Sequence, residues 1–188
     1  IELSGVKYFS SNSALSAAGW HGPEKCKAGI RFQLSTQPGI DFSQLPIDEL
    51  TLHIAGEDDL PMKQYEQIFA NGLGFIVKDR SKPDQAGQFF SSEHIQQSGF
   101  SDDEALLPYP NRSFQGYRLL QEYFTFPKRF LFFKFTALQK FLSTFSGSDI
   151  EITILLDKSY SELTTLTTQD QFKLFCSPAI NLFPKHSE

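Results

Sequence analysis

The sequence predicts an α+β fold with antiparallel or mixed β-sheets and a few short helices. Three observations point there. Several short runs alternate apolar and polar residues, as half-buried strands do. Fewer stretches space their apolar residues at three and four, as helices do. Short turns rich in Gly, Pro and Asn join these segments, which favours antiparallel or mixed neighbours. A mainly-β sandwich is the alternative. The strict alternation also implies that some sheet faces meet solvent or a partner.

Taken in order, residues 11–29 are small and polar, with Gly19-Trp20-His21-Gly22-Pro23 in the middle, and read as a loop. Ile30, Phe32 and Leu34 then share one face of a strand. Pro38, Gly39 and Pro46 interrupt the chain before Leu50-Thr51-Leu52-His53-Ile54, a second strand. Acidic Glu57-Asp58-Asp59, early Pro61 and closing Asn71-Gly72 bound a short helix with Met62, Tyr65, Ile68 and Phe69 on one side. Phe75-Ile76-Val77 reads as the next strand. Residues 79–112 are loop-rich, with one short strand near Gln88–Ser91, and the boundary between two subdomains is placed near residue 98. That gives a β-rich unit with one helix over 1–98 and an α+β unit over 99–188.

Ser113 is placed to cap a helix through Tyr117, Leu120 and Phe124 that Pro127 stops. Phe130-Leu131-Phe132-Phe133-Lys134-Phe135 reads as a strand covered on both faces. Leu138, Phe141, Leu142 and Phe145 follow helical spacing up to Gly147. Ile150, Ile152 and Ile154 alternate, as do Phe172, Leu174 and Cys176. Strand–helix–strand thus occurs twice, at about 50–78 and 130–156, the pattern of two similar subdomains.

Bulk properties narrow the function. Of 188 residues, twenty are Phe and six Tyr, ample material for a core. A net charge of −5 argues against nucleic acid and against an anionic membrane surface. Apolar runs fall short of the roughly 18–20 residues that cross a bilayer, so no direct membrane insertion is expected. The chain opens on Ile1 without a signal segment, and is read as a fragment of something longer. Cys26 and Cys176 are expected as free, buried thiols in a reducing compartment.

A search for chemistry is negative. No phosphate loop, dinucleotide fingerprint, zinc-protease motif or nucleophile elbow is present. Asn71-Gly72-Leu73-Gly74 lacks a lysine and reads as a helix stop. His21 and Cys26 would supply only two of four zinc ligands. His53 is expected in solvent on the outer face of its strand. Glu57-Asp58-Asp59 and Asp102-Asp103-Glu104 lack calcium-loop spacing and read as acidic caps. Cys176 is expected to pack inertly. No catalytic residue, metal or cofactor is expected, and the chain is not read as an enzyme. The runner-up function is a β-sandwich carbohydrate-binding module using Trp20 and exposed tyrosines.

What stands out is aromatic and apolar, concentrated at 106–135. Gly99-Phe100, Glu104 to Pro110, Ser113 to Phe124, Phe126-Pro127 and Phe130 to Phe133 together closely resemble the signature of the TssF (VasA, ImpG) family of type VI secretion baseplate subunits. Cys176-Ser177-Pro178-Ala179-Ile180-Asn181-Leu182-Phe183-Pro184 resembles that family's next signature. Residues 42–70 match it in pattern. The resemblance implies an internal fragment of a cytoplasmic, non-catalytic subunit of a contractile injection machine, docked at the inner face of the membrane. It implies TssG, TssE, TssK and the VgrG hub as partners, with a second copy of the chain in the wedge. Within the signature, Phe114, Tyr117, Leu120 and Phe124 are expected to pack onto the strand at 130–135. Leu107, Pro108, Tyr109 and Pro110, with Arg118 and Glu122, are the expected partner contacts, since apolar residues nearly encircle that helix and Tyr and Arg are favoured interface anchors.

Overall fold

A computed structural model describes residues 1–20, 23–57, 59–82, 85–108 and 114–181. In chain order the first half holds β1 (Glu2–Phe9), α1 (Asn12–Ala17), β2 (Ala28–Ser35), β3 (Leu50–Ile54), α2 (Leu60–Asn71), β4 (Gly72–Asp79), β5 (Gln88–Ser91) and β6 (Ile95–Ser98). The second half holds α3 (Gln115–Thr125), β7 (Phe132–Phe135), α4 (Gln139–Leu142), β8 (Asp149–Leu156), α5 (Leu163–Leu166) and β9 (Phe172–Leu174). The strands form two sheets, in the orders β1-β2-β8-β4-β5 and β6-β7-β3-β9. Every pairing is antiparallel. The fold is α+β, as the sequence predicts.

The alternation in β2 does its expected work. Ile30, Phe32 and Leu34 are fully buried and stand opposite Ile154, Ile152 and Ile150 of β8. On the far side of β8, Phe75 and Val77 of β4 continue the same rows. Against this layer the second sheet presents Leu52, Phe133, Phe135 and Phe172. The Phe32 ring meets Phe172 at 5.0 Å and Phe135 at 5.9 Å, both nearly edge-on. Such pairs add about 0.5–1.5 kcal/mol each beyond their buried area.

Three stretches differ from the sequence reading. β8 is covered on both faces, although its isoleucines alternate, because α1 lies over the outer face of its sheet. Leu15 and Trp20 there join Phe9, Ile76 and Leu155 in a smaller core. α1 occupies residues expected as loop. The Ser11 hydroxyl accepts the Ala14 N–H at 3.2 Å, so the polar opening that suggested a loop is helix-capping chemistry. Trp20 is only 1% exposed, and the Lys78 ammonium sits over its ring while donating to the Gly19 carbonyl at 2.9 Å. It therefore offers no platform for a sugar. At the other end, Phe175 adopts a positive φ of 57° and turns the chain outward after Leu174. Cys176 is consequently exposed, contrary to the buried thiol expected, whereas Cys26 is buried and free.

α2 follows its signals, with Pro61 in the first turn and a stop at Gly72. A Cβ at Gly72 would lie 2.2 Å from the Ile68 carbonyl oxygen, so only glycine allows the helix to pass straight into β4. The strand–helix–strand repeat is also seen. β3–α2–β4 and β7–α4–β8 each cross from one sheet to the other, with β3 paired to β7 and β4 to β8. Strands from either side of residue 98 share both sheets: β8 lies between β2 and β4, and β3 between β7 and β9.

Candidate interaction surface

α3 is built inside out. Its two charged residues, Arg118 and Glu122, are four residues apart and point inward, 4% and 2% exposed. One oxygen of Glu122 accepts the backbone N–H groups of Leu106 and Leu107, each at 3.0 Å. The other takes Arg118 Nη1 at 3.2 Å and also pairs with the Arg129 guanidinium. Arg129 lies within the Pro127–Phe130 turn that follows the helix. Its Nη2 donates to the carbonyls of Gly99, at 2.9 Å, and Glu104, at 2.8 Å. Burial, then the neighbouring Arg118, lowers the Arg129 pKa.

These bonds strap the loop 99–107 across the inner side of α3. Gly99 sits at φ 100°, where its missing side chain lets the chain pass close to the Arg129 carbonyl. Glu104 closes the strap. Its carboxylate accepts the hydroxyls of Ser98 and Ser101 and the backbone N–H groups of Gly99 and Ser101. Burial alone would raise its pKa, but these bonds to the charged form prevail and hold it at about 2. A carboxyl so acidic is a structural acceptor, poorly suited to donate a proton near neutral pH.

With the polar side turned in, the apolar side faces out. Phe124 is 81% exposed, Phe114 71%, Tyr117 69% and Leu120 56%, with Tyr123 and Phe126 also exposed. These rings do not pack onto β7, as the sequence reading had it; the inward side of α3 is occupied by the ion network instead. Arg118 and Glu122, expected on the contact surface, are buried and position the helix. Leu107 is half-buried and Pro108 exposed, while Tyr109 and Pro110 lie outside the described residues, as does Ser113. Between α3 and α2 runs an apolar groove of about 310 Å³, lined among others by Met62, Tyr65, Leu120, Tyr123 and Phe130.

The other residues weighed for chemistry do not converge. Among the described residues no three His, Cys, Asp or Glu side chains are grouped to hold a metal. His21 lies outside them. His53 is not free in solvent: its ring packs at a tilt against Phe132, 4.4 Å between centroids, and Nε2 lies 3.2 Å from the Lys128 carbonyl oxygen. Burial lowers its pKa. Among the described residues no helix is long and apolar enough to cross a membrane.

The sequence held one signal for this arrangement. Arg118 and Glu122 at a spacing of four share one helix face, and they are the only charges in an otherwise apolar or neutral helix. Such a pair marks a seam, but whether the seam faces in or out depends on Arg129 and on the loop amides that meet it.

Comparison with known proteins gives a consistent picture. A family model described as "Type VI secretion system, TssF" matches residues 1–188. The chain is 36% identical over 189 residues to type VI secretion system component TssF1 of Pseudomonas aeruginosa, an alignment that covers all of this chain and 30% of that protein. Among solved structures it resembles a chain of a type VI secretion system TssK-TssF-TssG baseplate subcomplex determined by cryo-electron microscopy. The TM-score is 0.72 at 20% identity, over 96% of this chain and 31% of that one. At that identity the likeness speaks for the fold. The chain spans under a third of the length of either relative.

Proposed function

The chain belongs to the TssF family of the type VI secretion system, and from that membership we propose that it is a non-catalytic structural piece of the baseplate wedge, serving assembly of a cytoplasmic contractile injection machine. The observation that carries the proposal is the outward apolar face of α3, held in place by a buried ion network. Contiguous exposed apolar surface of this kind marks protein–protein contact. A relative of the same fold is found with TssK and TssG, and TssG is the partner expected to meet this chain directly. TssE and the VgrG hub are its further neighbours in the assembly. Leu107 and Pro108 precede α3 in sequence and extend the contact surface.

Co-expression with TssG, TssK and TssE in turn, followed by size-exclusion chromatography with light scattering, tests the proposal. A stoichiometric complex with TssG is expected. Loss of the complex with this chain but not with a family-length chain would move the contact to other segments. Failure of both would refute the wedge reading.

A further inference from the structure

Tyr117, Leu120 and Phe124 follow one another along the outward face of α3 at spacings of three and four, and each is more than half exposed. That spacing is the seam one helix offers another, with knobs set to enter the holes of a second helix of the same period. An extended segment repeats every two residues and does not match it. Leu120 also lines the groove between α3 and α2, so seam and groove are one continuous surface. From α2 come Met62 and Tyr65, three residues apart, and no side chain lining the groove is charged. Two helices and the trough between them thus make a bed for a third.

Charge and area narrow the chemistry of that third helix. Arg118 and Glu122, the only charges on α3, are turned inward. A charge laid against the outward face would be buried with no partner, which is costly. The occupant is therefore uncharged along the side it presents. Phe114, Tyr117, Leu120, Tyr123, Phe124 and Phe126 together expose on the order of 700 Å², close to the roughly 800 Å² that each partner of a standard interface buries. Resting on the reading of α3 as an assembly surface, we propose that α2 and α3 cradle a single helix of a partner protein. That helix is apolar and uncharged on the side it presents, with anchoring side chains three and four residues apart.

Photocrosslinking in a family-length chain bound to TssG tests it, with p-benzoylphenylalanine replacing Tyr117, Leu120 or Phe124 in turn. The three crosslinks are expected in one TssG segment, at positions that advance by three to four residues. As a second line, Leu120→Glu weakens the complex at least about tenfold, whereas Leu120→Met, which stays apolar, preserves it. Leu120 is more than half exposed, so unchanged far-UV circular dichroism is expected of both variants. Crosslinks that advance by two, that scatter over several segments, or that join a second copy or the chain itself overturn the proposal. So does a complex indifferent to Leu120→Glu. In each of those cases TssG is still bound and the wedge reading stands, whereas a family-length chain that binds no TssG refutes both.

Discussion

Glu122 gathers two guanidiniums and two backbone N–H groups on one buried carboxylate. Removing one partner from a buried ion cluster leaves the others desolvated and uncompensated, which costs about 3–5 kcal/mol. Glu122→Ala is therefore expected to destabilise the chain by that order in urea denaturation; a loss below about 1 kcal/mol would show the cluster to be incidental. Glu104 makes a prediction in pH. Its folded pKa of about 2 lies below the 4.5 usual for a glutamate in water. Its contribution is thus complete above about pH 4.5 and is lost as pH falls toward 2. Glu104→Gln should flatten the acid limb of the stability profile in that window and leave its shape above it unchanged. An unaltered acid limb would contradict the hydrogen bonding described. Both residues stand in the sequence as ordinary acidic side chains, because nothing local records which amides a distant loop will bring to them.

At the scale of elements, α3 and β2 are opposites. β2 buries its apolar residues, and Phe32→Ala, at a site touching Phe133, Phe135 and Phe172, should cost about 3–5 kcal/mol. α3 exposes its apolar residues, so Tyr117→Ser with Phe124→Ser should change the stability of a monomer by no more than about 0.5 kcal/mol per site. Thermal melts of the two variants side by side check the contrast, and a large loss in the α3 variant would mean that its outward face is already covered. Alternation identified β2, β3 and β8 directly. α1 was hidden because its serines read as loop residues while Ser11 acts as a cap. β9 ended early because Phe175 takes a left-handed backbone that alternation cannot anticipate.

For the whole molecule, the interleaving of strands decides cooperativity. β8, from the later part of the chain, completes the sheet that β2 and β4 begin, and β3 does the same between β7 and β9. Segments 1–98 and 99–188 made separately should stay unfolded and regain structure only when mixed. The intact chain should melt in one transition, with fluorescence of the single Trp20 and far-UV circular dichroism giving the same midpoint. Two separated transitions would show that the segments fold independently. The sequence by itself determined the α+β class, most strands, the position of α2 and the family signature, because period and turn chemistry are local properties of the chain. Tertiary structure alone decided which face of α3 looks outward. That choice depends on Arg129 and the 99–107 loop meeting Glu122 from elsewhere in the chain, and a helix with two inward charges must leave its rings to water or to a partner.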